Sequence, residues 1–353
     1  MCGFFLRCDT VRSQLLTSTC YEHTTEHVTN SLVQKLYAAF IATSVIGLGG
    51  GVIAHAEPPT SPSLESSLTA NQTHHIKSGG DKRTYRLSLP SNWKKLGPLP
   101  VIFAFHGHGQ DAQQMETYSD LDHLPALVVY PQGEKGTGNS ERAWESAPYA
   151  RTNKGNKDSQ FVHDLLGELT KNYPIDHARI YATGKSNGGG FAAKLGCTMP
   201  NIFAAVAPVA GAYYKDTHTG HGGRPEGCEP TNNTAATSIM EVHGTNDHVI
   251  QYSGGVSHKH HFIGGPELVR EFAQRYQCDT PPVENPPEIK KSQEYAWRHC
   301  EHEVEAIHYK IIGGGHTWPG SSHPELSGKK GEPFVKEFPT TDKIWQFFSR
   351  HHH

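Results

Sequence analysis

The sequence predicts an α/β fold, with a mostly parallel central sheet and helices on both faces. Short runs of apolar, β-branched and aromatic residues alternate with segments whose apolar residues recur at helical spacing. Gly and Pro are frequent, 36 and 23 residues, as many tight turns between short elements require. A G-x-S-x-G pattern at 184–188 lies where one apolar run meets one helical segment.

RTYRLSLP (83–90) alternates like a strand, and PVIFAFHG (100–107) and LPALVVYPQG (124–133) read as buried central strands. SQFVHDLLGELTKNY (159–173) places Phe161, Val162, Leu165, Leu166 and Leu169 on one helical stripe. RIYATG (179–184) is a further buried strand, and FAAKLGC (191–197) continues a helix that begins just after it. Three more strands follow at 204–214, 238–247 and 304–311, with helices at 266–278 and 340–350. Strands alternating with helices imply parallel pairing, because a parallel strand needs a crossover to return.

The chain is expected to divide into a leader (1–56), a linker (57–80) and one α/β domain (81–353). Residues 36–54, LYAAFIATSVIGLGGGVIA, carry no charge, follow Lys35 and lead to Ala54 and Ala56, a secretory signal with cleavage expected after Ala56. A membrane anchor is the competing reading, but Gly47, Gly49, Gly50 and Gly51 make the segment a poor helix. The 35 residues before it are polar and long for the start of a signal. EPPTSPSLESSL after it reads as linker. The product is therefore expected to be secreted, with no membrane association after cleavage. Downstream of the cut, Cys197, Cys228, Cys278 and Cys300 form an even set, as export favours. Closeness in sequence pairs Cys197 with Cys228 and Cys278 with Cys300. Asn71 and Asn232 begin glycosylation sequons.

A formal net charge of −3 leaves no electrostatic footprint for nucleic acid. With 35% hydrophobic and 19% charged residues the chain is neither disordered nor a multi-span membrane protein. The 25 histidines raise a metal reading, with His106-x-His108 and His258-Lys-His260-His261 as its best clusters. Neither has recognisable ligand spacing, so neither metal nor cofactor is expected. A monomer is expected.

The chemistry centres on Gly184-Lys185-Ser186-Asn187-Gly188. A serine hydroxyl becomes a useful nucleophile when a base takes its proton and an acid orients that base. In a strand–elbow–helix setting the chain order is Ser, then Asp or Glu, then His. Asp247 follows the strand SIMEVHG, and His316 follows the strand VEAIHYKI inside GGGHTWPG. The assignment is Ser186 nucleophile, His316 general base and acid, Asp247 orienter. The expected oxyanion donors are the backbone N–H groups of Asn187 and His108. The bland readings are a helix N-cap for Ser186, a turn residue for Asp247 and a surface loop histidine for His316. Asp158 is a rival acid that reads better as a helix cap. An unperturbed imidazole predicts activity rising through roughly pH 6–7.

HGHGQ, GKSNGGGF, APVAGAYY, HGTNDHVIQY and GGGHTWPG, in that order, resemble the secreted carbohydrate esterase family that includes fungal feruloyl esterases and extracellular polyhydroxybutyrate depolymerases. The resemblance spans roughly 81–350 and is greatest to fungal feruloyl esterases. It implies an α/β-hydrolase fold, a triad at Ser186, Asp247 and His316, and hydrolysis of feruloyl esters in plant cell-wall polysaccharide. The 35-residue leader and the lack of a recognisable cellulose-binding module depart from the family pattern. Trp144, Trp318 and Tyr213, with Tyr149 and Tyr214 beside them, are candidates to line an aromatic acyl slot. An acetylxylan esterase or a polyhydroxybutyrate depolymerase would use the same triad, and an inactive secreted binding protein on the same scaffold is the reading from another class.

Overall fold

The computed structural model describes residues 72–136, 141–215, 228 and 235–353. The signal segment, its cleavage position, linker residues 57–71 and the sequons at Asn71 and Asn232 lie outside the described residues. Ten strands form one sheet among the described residues. They are β1 Thr73–Ser78, β2 Asp81–Ser88, β3 Leu99–Phe105, β4 Leu127–Pro131 and β5 Ile175–Lys185. Further along the chain come β6 Ala205–Val209, β7 Ser238–Gly244, β8 Val283–Asn285, β9 Ser292–Trp297 and β10 Ala306–Ile311. Their order across the sheet is β1-β2-β4-β3-β5-β6-β7-β10-β9-β8. The stretch from β4 through β10 is parallel, and the flanking strands at either edge are antiparallel.

Helices α1 (Ala112–Ser119), α2 (Lys157–Asn172), α3 (Asn187–Thr198), α4 (Gly265–Arg275) and α5 (Thr340–Phe348) cover the two faces. Strand periodicity sorts them. Val101, Phe103 and Phe105 of β3 point to a core shared with α2, α3 and α4. Ile102 and Ala104 point to the opposite core, shared with α1 and α5. Each fully buried Leu, Val or Phe in these layers contributes about 1.5–3 kcal/mol. Helix α1 was not legible from apolar spacing, yet it carries a start signal. Asp111 accepts from the Gln114 N–H at 2.8 Å, and the Gln114 side chain accepts from the Asp111 N–H at 3.1 Å, a closed capping box.

Three expectations need correction. The linker does not reach residue 80, because Thr73–Ser78 pairs with β2 through a hairpin at Gly79-Gly80, both at positive φ. The run 204–214 is not one strand. The chain leaves the sheet after Val209, turning at Ala210 with φ 46°, and Tyr213–Tyr214 joins a separate three-stranded sheet with Gly254–Ser257 and His260–Ile263. Asp158 does not cap α2. Asn156 holds the cap position, and Asp158 is buried in the first turn, where it accepts from the Arg83 guanidinium at 2.7 Å and the Glu145 N–H at 2.8 Å. Its lone pairs are taken by the scaffold, which removes it as a rival acid. Disulfides join Cys197 to Cys228 and Cys278 to Cys300. No helix among the described residues is long and apolar enough to cross a membrane.

Candidate active site

The sheet's register brings the candidate residues together at one edge. Gly184 of β5 lies opposite Phe105 of β3, so Ser186 and His106 leave the sheet side by side. Gly244 of β7 lies opposite Ile311 of β10, so the loops carrying Asp247 and His316 also leave together. All four strands belong to one parallel block, with β6 between β5 and β7, which puts these loops at the carboxyl ends of the strands.

Ser186 sits between β5 and α3 at φ 59°, ψ −123°, a strained conformation for a residue with a side chain. The elbow holds it there by three backbone bonds. The Ser186 N–H donates to Val209 O, and the Ser186 carbonyl accepts from Gly190 and Ala212 N–H groups at 3.0 and 2.9 Å. Crowding explains the flanking glycines. A Cβ on Gly184 would stand 2.7 Å from the Phe105 carbonyl oxygen, and one on Gly188 would collide with the same atom. Only glycine lets β3, the elbow and α3 approach this closely.

The His106–Gln110 loop closes over the serine. A Cβ on Gly107 would come within 3.4 Å of the Ser186 Cβ. Gln110 clamps the loop, accepting from the Gly107 N–H at 3.0 Å and donating to Leu326 O at 2.9 Å. Gly107 is therefore committed, whereas the His108 and Asn187 N–H groups have no protein partner among the described residues. His106 is buried and structural: its Nε2 accepts from the Gly133 N–H at 3.0 Å, leaving Nδ1–H to donate to Gly107 O. Burial pushes its pKa down to about 4 and keeps the ring neutral.

Asp247 Oδ1 accepts from the Val249 and Ile250 N–H groups at 2.9 and 2.8 Å, which fixes the carboxylate plane. Its Oδ2 receives His316 Nδ1 at 2.7 Å. That bond sets the His316 tautomer with Nδ1–H toward Asp247 and Nε2 as the open acceptor, the form able to take a proton from a hydroxyl. The His316 backbone N–H donates to Glu332 at 2.8 Å, holding the loop from behind. Burial, followed by the Lys185 ammonium, lowers the His316 pKa to about 4, against the pull of Asp247. Burial also lowers Lys185, to about 8. For Asp247 burial acts upward, but hydrogen bonds from His243 and His316 prevail and hold it far below the usual carboxylate range. His243 was not singled out from the sequence, yet it touches Asp247 at 3.3 Å.

Ser186 and His316 open into one cleft of about 260 Å3, walled by His108, Tyr149, Tyr214 and His258. The aromatic residues expected at this wall from the sequence divide. Trp144 is buried, donates to His106 O at 2.9 Å and stacks on Phe191. Trp318 is buried against α5 with its indole N–H on Thr341 Oγ1 at 3.1 Å. Tyr213 is buried with its hydroxyl on Glu241 at 2.9 Å. None of the three lines the cleft, because their polar ends are used inside the scaffold. Tyr149 and Tyr214 do line it, in edge contact with centroids 5.8 Å apart. His258, from the turn of the 254–263 hairpin, packs 4.2 Å from Tyr149. The sequence marked His258 only within a histidine cluster weighed for metal, not as a wall of this cleft.

The Esterase family model matches residues 76–264, more than half of the 353-residue chain. The chain is 28% identical over 261 residues to feruloyl esterase B of Piromyces equi, covering 71% of this chain and 44% of that protein. It is 30% identical over 251 residues to a bifunctional acetylxylan esterase/xylanase of Neocallimastix patriciarum, covering 67% of this chain and 31% of that protein. The chain thus spans less than half the length of either relative. Among solved structures, an acetyl xylan esterase from Aspergillus awamori superposes with a TM-score of 0.51 at 15% identity, covering 79% of this chain and 99% of that one. That likeness concerns the fold, an α/β-hydrolase sheet flanked by helices. The chain belongs to the Esterase family and has the α/β-hydrolase fold.

Proposed function

We propose that the protein is a secreted serine esterase that cleaves feruloyl esters of plant cell-wall polysaccharide through Ser186, His316 and Asp247. The observation that supports this most is a serine on a strained strand-to-helix elbow, in one cleft with a neutral histidine whose Nδ1–H is held by a carboxylate. In this reading Ser186 Oγ attacks the ester carbonyl carbon while His316 Nε2 takes its proton. The oxyanion forms beneath the His108 and Asn187 N–H groups, where it is stabilised by fixed donors. His316 then protonates the departing sugar oxygen, and a water deprotonated by His316 cleaves the acyl-enzyme. The aromatic wall of Tyr149, Tyr214 and His258 supports a planar aryl acyl group, as does a relative named for feruloyl ester cleavage, and one named for acetylxylan ester cleavage supports a polysaccharide ester. Export agrees with two disulfides in a chain of this size. Neither a cofactor nor a nucleic-acid partner enters the reading.

The substrate is tested by comparing methyl ferulate, acetylated xylan and a polyhydroxybutyrate film under one condition. Methyl ferulate is expected to be preferred. Tyr149→Ala is expected to raise its KM by about tenfold, the loss of one aromatic contact, while changing KM for a 4-nitrophenyl acetate probe little. Preference for acetylated xylan or the polyester would overturn the feruloyl reading and leave the esterase reading standing. Lack of turnover of any ester would overturn both.

The pH response follows from the neutral His316. The base must be unprotonated, so kcat/KM is expected to rise with pH through about 4 and to be flat across pH 6–7. The unperturbed imidazole expected from the sequence alone placed that rise higher. A limb near 6.5 in a pH profile of 4-nitrophenyl acetate hydrolysis would count against the electrostatic picture, and no acidic limb at all would count against His316 as the base.

A further inference from the structure

Behind Asp247 lies a buried row of ionisable side chains that the reaction sequence above does not use. His243 and Glu241 of β7 and His308 of β10 are all almost fully buried. His243 Nδ1 is 2.9 Å from Glu241 Oε1, and Glu241 Oε2 is 2.7 Å from His308 Nδ1. Glu241 Oε1 also accepts from the Tyr213 hydroxyl at 2.9 Å. On the other side, His243 Nε2 is 2.9 Å from Ile250 O and 3.3 Å from Asp247 Oδ2. The row ends where His308 Nε2 meets the Tyr252 hydroxyl at 2.8 Å.

These partners determine where the protons are. A backbone carbonyl only accepts, so the Ile250 contact places a hydrogen on His243 Nε2. A carboxylate with two further donors aimed at it stays ionised and accepts, so the Glu241 contact places a second hydrogen on Nδ1. The ring facing Asp247 then carries a positive charge, held between two carboxylates. We propose that His243 is a positioning residue for the ester reaction: a permanently charged imidazolium that shares the Asp247 carboxylate with His316 and so keeps His316 in its neutral, proton-accepting form. The inference rests on the triad reading given above.

The charges around the ring agree. Burial would lower the His243 pKa, but Glu241 and Asp247 outweigh it and hold it at about 10. Burial would raise Glu241, yet the two imidazoles bring it down to about 2. The titratable groups that face His243 are Glu241 on its own strand, Asp247 on the following loop, and Tyr252 beyond that loop. His308 on β10 and Tyr213 reach it through Glu241, and His316 through Asp247. In the usual triad the orienting carboxylate spends its whole charge on one imidazole and raises that imidazole's basicity. Here part of its attraction is directed to His243, and the His243 charge adds to burial and the Lys185 ammonium in disfavouring a second imidazolium nearby.

The test is a charge-balanced variant. His243→Gln alone removes the imidazolium beside the buried Glu241 carboxylate, leaving it only His308 and Tyr213, and risks the fold. The Glu241→Gln/His243→Gln double variant removes both charges and serves as the folded comparison. The readouts are kcat, KM and the acidic limb of kcat/KM for 4-nitrophenyl acetate, together with 15N NMR of the histidine rings in Ser186→Ala protein. In the double variant the acidic limb is expected to move up by about one pH unit and kcat at pH 5 to fall about twofold, with KM unchanged, since Asp247 then acts on His316 alone. In the NMR spectrum His243 is expected to keep both ring nitrogens protonated at pH 8. A folded double variant with the parental limb and kcat would overturn the proposal, as would a His243 ring with one bare nitrogen at pH 8. If instead Ser186→Ala protein retained activity, the triad reading would fail, while the NMR result would still report the His243 charge.

Discussion

Ser186→Ala is expected to lower kcat/KM for 4-nitrophenyl acetate by at least about 10^3-fold while leaving the fold unchanged. Alanine keeps the Cβ that the elbow already accommodates at φ 59°, and the backbone bonds from Gly190 and Ala212 to the Ser186 carbonyl survive. Only the hydroxyl is lost, and with it the acyl-enzyme route. The His108 and Asn187 N–H groups would remain, so a trace of turnover above the uncatalysed rate is expected rather than none. The measurement pairs initial rates with a thermal melt. Activity within tenfold of the parent at an unchanged melting temperature would remove Ser186 as the nucleophile.

Asp247→Asn is expected to cost about 10^4-fold in kcat/KM, through the proton position rather than through lost shape. Oδ1 of Asp247 accepts from the Val249 and Ile250 N–H groups, so an asparagine must keep its carbonyl oxygen there. Its amide NH2 then occupies the Oδ2 position, facing His316 Nδ1 and His243 Nε2. His316 can satisfy that donor only by giving up the hydrogen on Nδ1 and carrying it on Nε2. The acceptor that would take the serine proton disappears. The loss is expected in kcat, with KM close to the parent value, because the cleft walls are untouched. A variant within tenfold of the parent would mean that Asp247 has no part in orienting His316.

Much of this architecture was readable residue by residue. PVIFAF and RIYATG fit buried parallel strands because neither face of such a strand meets water, and both became central strands of the sheet. The elbow at 184–188 was readable because its glycines answer a local steric demand, the collision of any Cβ with the Phe105 carbonyl. Misses occurred where the signal was short or polar. The strand THHIKS has no apolar run, and only Gly79-Gly80 marked the hairpin. Helix α1 is polar on most of its surface and announced itself only through Asp111 and Gln114.

The order of Ser186, Asp247 and His316 along the chain, the strands that carry them and the cysteine pairs followed from local pattern and chemistry alone, since each depends on neighbours within a few residues or on simple order. Which side chains face the cleft depended on packing between distant segments. Trp144, Trp318 and Tyr213 looked like cleft residues and are interior, while His258 arrives from a hairpin and stacks on Tyr149. Asp158 looked like a cap and is the buried partner of Arg83, 75 residues away. His243, Glu241 and His308 carried no motif. They became one charged row because β7 and β10 are adjacent parallel strands whose register sets Glu241 opposite His308. Periodicity states which residues share a face, but the partner across that face is chosen by the long-range pairing of strands, and the electrostatics around Asp247 follow from that choice.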